Sequence, residues 1–421
     1  MILVYTSHFT PALAYILKIF FGDKVRLTEL IDEYTQFEGY KICYEKESIP
    51  GTDWHIIPHE LMRRNNILQH KPCSFADEDW NENRLPIHND IFALSFYIIS
   101  RLEEYEATQF DKHGRFKPES SIIFRHGLRL PWIDIWRQLM ELRIQEKLPA
   151  FRSETGSYQN ILSIDIDHAY LFKGKNKLRN YASLGKQYLL GNTEMGKLYA
   201  AYKNTGTDPY DTYMYIRNTC RDKHIKPYFF ILTADYKKPY DTPISHRSPL
   251  FADLINNLRS FGKPGLHPGY ESHLSIEKLA EEKQRLQSLI PGSLYDTRQH
   301  FLKFRLPETY QRLETLGFKN DFSMGYASET GFRAGTSRPF HWFDCSKNAE
   351  TSLTIYPLTC MDGTLAEYKK MSPHDAIQEI RFLKEQCKKY GGNFISLWHN
   401  HSLSETFHWK GWRAVFEESL L

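Results

Sequence analysis

The 421-residue chain has almost no excess charge of either sign: 54 Lys plus Arg stand against 51 Asp plus Glu, a formal +3. That balance argues against a nucleic-acid partner and against an anionic membrane surface, both of which call for concentrated positive charge. It also lacks CxxC pairs. The six cysteines (Cys43, Cys73, Cys220, Cys345, Cys360 and Cys387) fall at irregular gaps, as expected for reduced thiols in a cytoplasmic protein. No apolar run reaches the roughly 18 residues that a membrane span needs. The most apolar stretch, Met1 to Phe21, is interrupted by His8, Pro11 and Lys18. It has neither a basic leader nor a small-residue cleavage site. It reads as a strand (Ile2 to Tyr5), a turn and a helix, so no integral membrane segment is expected. Repeats and low-complexity tracts are missing too. What is abundant is core material: 41% hydrophobic and 14% aromatic residues exclude wholesale disorder.

The length suggests more than one domain. The first 150 residues or so read as an α/β region without obvious chemistry. Ile91 to Tyr105 and Trp132 to Lys147 have apolar residues at helical spacing, and Phe110 to Ser121 between them is loop-like. The polar stretch Arg152 to Gln159 is the candidate linker, dividing residues 1–152 from 158–421. Beyond it, short apolar runs alternate with helical stretches. Strands are expected at Ile161–Ile166, Tyr228–Leu232, Gly262–Leu266, Leu294–Thr297, Phe318–Ser323, Leu353–Tyr356 and Asn393–Trp398. Helices are expected at Pro249–Ser260, Ser275–Leu289, Pro307–Leu316 and Pro373–Lys389. About seven βα units imply a parallel sheet or a barrel, because parallel strands need crossover connections. In such barrels the chemistry gathers at the C-terminal ends of the strands.

Those ends are where the polar residues lie. The first strand runs into Asp165-Ile166-Asp167-His168. Alternate strand residues share a face, and two carboxylates that close repel unless a cation or proton separates them. One acid holding a metal while the other acts as a base would satisfy both; capping of the next helix is the bland alternative. The third strand leads into His267-Pro268-Gly269-Tyr270-Glu271-Ser272-His273, the next into Arg298-Gln299-His300, the fifth supplies Asp321, and the last ends at His399-Asn400-His401. Histidine serves as a switchable base and as a ligand for Zn²⁺. Arginine can keep a neighbouring carboxylate ionised and oriented. Tyr326, Trp342 and Trp398 are candidates for a sugar platform, with burial in the core the favoured reading for any one of them; Gly325 to Asp344 is a candidate covering loop whose Arg333 and Arg338 would meet either an anion or, the favoured reading, solvent.

In order, Asp-x-Asp, His-x-x-x-x-x-His, Arg, Asp and Leu-Trp-His resemble the polysaccharide deacetylase (NodB-homology) family, over about Gln159 to Leu421. SIDIDHAY, GLHPGYESH, YPLTCMDGTL and SLWHNHS look like a bacterial branch in which a domain of unknown function comes first. DIFALSFYIISRLEEYEATQFDKHGRFKP is similar to that companion. The resemblance implies a distorted (β/α)7 barrel preceded by a smaller α/β domain. It implies a divalent metal, Zn²⁺ first among candidates, and hydrolysis of N-acetyl groups on amino sugars of a polysaccharide or its precursor. By the same resemblance Asp165 is the general base, Asp167 the acidic ligand, His267 the first histidine ligand, Arg298 the residue orienting the base and His399 the general acid. Asp321 stands where the family has an acid near the catalytic histidine. The chain departs from the family in its histidine spacing: four residues after His267 comes Glu271, and the next histidine is His273. The third ligand is therefore taken as His273, with Glu271 and His300 as alternatives. Two other readings stay open: a degenerate homologue that binds glycan or protein, and a glycosyltransferase that uses Asp-x-Asp on a metal–diphosphate complex.

Overall fold

The computed structural model describes every residue except 70–72, 154–155, 176–177, 179, 182–183, 186–188, 190–192 and 238. The architecture is mixed α/β, with two sheets. A four-stranded parallel sheet in the order β2-β1-β3-β4 is built from β1 (Ile2–Tyr5), β2 (Val25–Thr28), β3 (Tyr40–Tyr44) and β4 (Trp54–Ile56). Helix Pro11–Phe21 follows β1. Thr10 starts it by accepting the Leu13 amide, with Pro11 in the first turn, where a missing N–H costs nothing. The expected helix Ile91 to Tyr105 is in fact two, Ile91–Ile99 and Leu102–Tyr105. Arg101 breaks it with φ 56°. Its fully buried guanidinium needs acceptors, and reaches Arg333 O at 2.6 Å, Glu104 Oε1 at 2.7 Å and Tyr326 OH at 3.0 Å.

The second sheet has nine strands in the order β10-β11-β9-β8-β7-β6-β5-β13-β12. All seven expected strands are there: β5 (Gln159–Ile166), β6 (Tyr228–Leu232), β7 (Lys263–His267), β8 (Asp296–Thr297), β9 (Asn320–Asp321), β11 (Ala349–Ile355) and β13 (Asn393–His399). Two were not expected, β10 (Phe340–Asp344) and β12 (Cys360–Met361). Every ladder is parallel except β10 on β11, and among the described residues none joins β10 to β12. The central strands β6 and β13 are covered on both faces, which is why they read as unbroken apolar runs. Helices Pro249–Arg259, Ile276–Gln287, Glu308–Thr315 and Pro373–Tyr390 fall where their periodicity placed them.

One apolar core runs through both halves of the chain. Tyr15 and Phe96 pack on Phe343 with centroids 5.1 and 5.0 Å apart, and the Tyr15 hydroxyl donates to His341 O at 2.8 Å. At Gly335 a Cβ would stand 2.7 Å from Ile98 Cγ2, so the backbone there lies directly on the first half. The expected covering loop is thus partly a strand and largely an internal seam, with Pro339 and His341 exposed. Arg333 pairs with Glu104 at 2.6 Å, and Arg338 donates to Tyr390 O at 2.6 Å, so neither waits for an anion. Tyr326, Trp342 and Trp398 are buried core rather than a sugar platform. The cysteines form no disulfide. No helix among the described residues is long and apolar enough to cross a membrane.

Candidate functional site

Parallel strands put their C-terminal ends on one rim. The ladders set His399 beside Asp165 and His267 beside Leu232, and the Arg298 amide donates to Leu266 O at 3.0 Å. Residues far apart in sequence therefore meet. Asp167 is the hub. Its Oδ1 lies 3.2 Å from His267 Nε2, and its Oδ2 lies 3.5 Å from both His300 Nε2 and His399 Nε2. Asp165 stands alongside. Its Oδ1 accepts from Arg298 Nη1 at 2.9 Å, and its Oδ2 lies 3.6 Å from His267 Nε2.

The far side of each imidazole fixes its tautomer. His267 Nδ1 faces Arg298 O at 2.6 Å, His300 Nδ1 faces Asp241 Oδ1 at 2.9 Å, and His399 Nδ1 faces Asp362 Oδ1 at 2.8 Å. A carbonyl or carboxylate there requires an N–H, so each neutral ring directs its Nε2 lone pair at the Asp167 carboxylate. Acceptor facing acceptor is repulsive unless protons or a cation come between. Protons on His300 and His399 fill part of that role. Burial alone would raise the Asp167 carboxyl and lower His300 and His399. Instead His300 and His267 hold Asp167 well below the carboxylate range, Asp167 and Asp241 lift His300 to about 9, and Asp362 with Asp167 lifts His399 to about 10. Asp167 Oδ1 is buried without a hydrogen-bond partner among the described residues. One atom each of Asp167, His267 and His300 lies within 4.8 Å of the others. The donor set of two imidazoles and a carboxylate, with rings anchored from behind, fits a divalent cation such as Zn²⁺.

His273 lies outside this group. The Pro-Gly turn after His267 carries it below the rim, where its Nδ1 faces Tyr270 O at 3.1 Å and burial lowers it to about 4. Glu271 is on the surface, with Lys237 at 2.6 Å and Lys278 at 3.7 Å. His300, reached through the strand next door, takes the position expected of His273. Asp321 is also elsewhere. It accepts from Tyr310 OH, Ser323 N and Ser323 Oγ at 3.0, 2.9 and 2.8 Å, and burial raises its carboxyl to about 6. The reason is strand order: β9 sits between β8 and β11, whereas the neighbours of β13 are β5 and β12. The acid beside His399 is therefore Asp362, which follows β12. Asp241 and Asp362 were not singled out from the sequence. Asp362 lies inside YPLTCMDGTL, but nothing local distinguishes it from a turn residue.

Over the cluster lies a cavity of about 250 Å³, lined also by His168, His401, Trp409 and Tyr368. Burial lowers His168 to about 4 and His401 to about 3, so both are neutral near pH 7. A larger cavity, about 710 Å³, lies near Gln159 and Asn393, the first residues of β5 and β13, away from these groups.

Residues 2–149 match the family described as "Family of unknown function (DUF7033)". No curated protein matches the chain. Among solved structures it resembles a putative polysaccharide deacetylase from Mycobacterium smegmatis, at 13% identity over 64% of this chain and 85% of that one, with a TM-score of 0.42. It also resembles a CE4 family pseudoenzyme from Bacillus anthracis, at 10% identity over 64% and 63%, with a TM-score of 0.31. A mutant CE4 family pseudoenzyme with restored enzymatic activity gives 11% identity over 64% and 65%, with a TM-score of 0.31.

Proposed function

We propose that residues 158–421 form a metal-dependent N-deacetylase of amino sugars, in a distorted (β/α)7 barrel, and that residues 1–152 are a companion domain built onto it. The observation that carries this reading is the convergence of three Nε2 lone pairs on Asp167, with a second carboxylate held next to them by an arginine. Asp167, His267 and His300 would hold the cation. When bound it polarises the acetyl carbonyl and makes a nearby water more acidic. Asp165 accepts the proton of the attacking water; Arg298, which also donates Nε to Phe322 O at 3.0 Å, keeps it ionised and aimed. His399 carries the proton that the departing amine needs, and Asp362 holds that proton's ring in place. His168, His401 and Trp409 form walls around the reacting group. An Asp-x-Asp pair that holds a metal–diphosphate complex needs its carboxylates free for the cation or the nucleotide. Here one of them is paired with Arg298, which favours the hydrolase.

The test is acetate release from N-acetylated oligosaccharides together with metal analysis of the purified chain. The reading expects stoichiometric metal, acetate release abolished by chelation, and recovery on adding Zn²⁺. Protein that takes up no metal at neutral pH would instead be a binding homologue.

A further inference from the structure

The catalytic cavity is small, below the roughly 300–1,000 Å³ common for ligand pockets, so a glycan entering it must continue outside. A second cavity, about 510 Å³, adjoins it and shares Arg115, Leu302, Ala327 and Tyr368 as lining. Its other wall is the first half's loop Asp111 to Glu119. That loop is a tight turn pinned by Asp111, whose Oδ1 accepts the amides of His113 and Arg115, both at 2.9 Å. Arg115 then fixes it to the second half. Nη1 donates to Phe301 O at 3.0 Å, Nη2 to Tyr368 OH at 3.2 Å, and Nε to Asp111 Oδ2 at 2.8 Å. His113 Nδ1 meets the Tyr270 hydroxyl at 3.1 Å. Phe301, whose carbonyl Arg115 holds, directly follows His300. The loop therefore stands at the mouth of the candidate metal site.

This second cavity has a net positive lining. Lys112, Arg115, Lys117 and Arg333 outnumber Asp111 and Glu119. Arg115 and Arg333 already have carboxylates, whereas Lys112 and Lys117 have no ion pair among the described residues. Tyr368, 43% exposed at the junction and with the Arg115 guanidinium 6.0 Å from its ring centroid, supplies an aromatic wall there. We propose that this cavity binds the glycosyl unit next to the one being deacetylated, and that Lys112 and Lys117 select a unit bearing a carboxylate or a phosphate. The companion domain would thereby set the substrate: an anionic glycan or sugar phosphate. The inference rests on the deacetylase reading for the neighbouring pocket, but it is tested by binding alone.

Calorimetry on the full chain with bound metal would use three probes. These are a tetrasaccharide alternating N-acetylglucosamine and glucuronate, its uncharged counterpart chitotetraose, and UDP-N-acetylglucosamine. Asp165→Asn blocks turnover; if it does not fold, His399→Gln replaces it. An anionic probe should bind about tenfold tighter than chitotetraose, the worth of two exposed ion pairs. In Lys112→Ala/Lys117→Ala that preference should fall to within twofold, as it should for the parent chain in high salt. A lysine-dependent preference for the uronate assigns a carboxylate, and one for the nucleotide sugar a phosphate; either supports the proposal. Equal binding of charged and uncharged probes, or a preference untouched by the double substitution, overturns it. A lysine-dependent preference, together with no acetate released from any probe by the unsubstituted chain, would keep the anion site and dismiss the deacetylase.

Discussion

Asp362→Asn tests the acid side of the proposed chemistry most directly. Asp362 is buried, and both its oxygens are committed: Oδ1 to His399 Nδ1 at 2.8 Å and the Gly363 amide at 2.6 Å, Oδ2 to the His399 amide at 2.8 Å. An asparagine cannot accept at both ends. Either its NH₂ opposes the His399 amide, or it opposes Nδ1 and moves the ring proton to Nε2. The negative charge is lost in both cases. Burial pulls His399 down, and Asp362 is the largest influence raising it to about 10. Without it the pKa of the ring falls, and less of it carries the second proton at pH 7. The expected loss is about 10²–10⁴ in kcat, or roughly 3–5 kcal/mol, the usual worth of a placed general acid. Activity needs the protonated ring, so it falls as pH rises through the His399 pKa, and in the variant that fall moves to lower pH. Initial acetate release between pH 5 and 10 measures both effects, with metal content checked to stay stoichiometric. Full kcat with an unmoved alkaline limb would refute His399 as the acid.

Other expectations follow from the same geometry. His300→Ala should lose the metal while His273→Ala keeps it, read by elemental analysis; the reverse would restore His273 as the ligand. Asp241→Asn should weaken metal affinity by about 10–100-fold, the usual cost of losing the partner behind a ligating histidine, measured by competition with a chelator. Asp321→Asn should leave turnover intact and change the pH dependence of stability. The carboxyl is raised from 3.8 to about 6 in the folded state, so folded and unfolded chains both hold the proton below pH 4, and only the folded one holds it up to about 6. The chain thus loses ~3 kcal/mol as pH rises across that window, and urea unfolding of the variant should lack this slope. Finally, metal at 100 times its Kd should add about 2.7 kcal/mol to stability, read as a rise in Tm that a chelator reverses.

Much of the fold was legible because central parallel strands are apolar on both faces. Tyr228–Leu232 and Asn393–Trp398 stand out for that reason, and the acids and histidines at strand ends stand out against them. The edge strands β10 and β12 were not legible. β10 alternates within a Gly- and Arg-rich stretch that looks like a loop, and β12 has only two residues. The site was legible where it lies on strand ends: Asp165, Asp167, His267, Arg298 and His399 meet as placed. It was not legible where three dimensions override sequence spacing. His273 is close to His267 in the chain, yet the turn at Pro268-Gly269 takes it away, while His300 arrives from the adjacent strand. Asp362 and Asp241 act from behind the histidines, where a carboxylate carries no sequence signal. Arg101 broke its helix for a partner 232 residues further on, Arg333 O, which no local pattern could register.

The shared core has a consequence for synthesis. Helices Pro11–Phe21 and Ile91–Ile99 bury apolar faces against Gly335 and Phe343, which the ribosome delivers roughly 200 residues after the first half is complete. At about 5–20 residues per second, that leaves an uncovered greasy surface waiting on the order of ten to forty seconds for its lid. A nascent chain of this kind should depend on a holdase, and truncation before Phe340 should yield inclusion bodies rather than a small soluble domain.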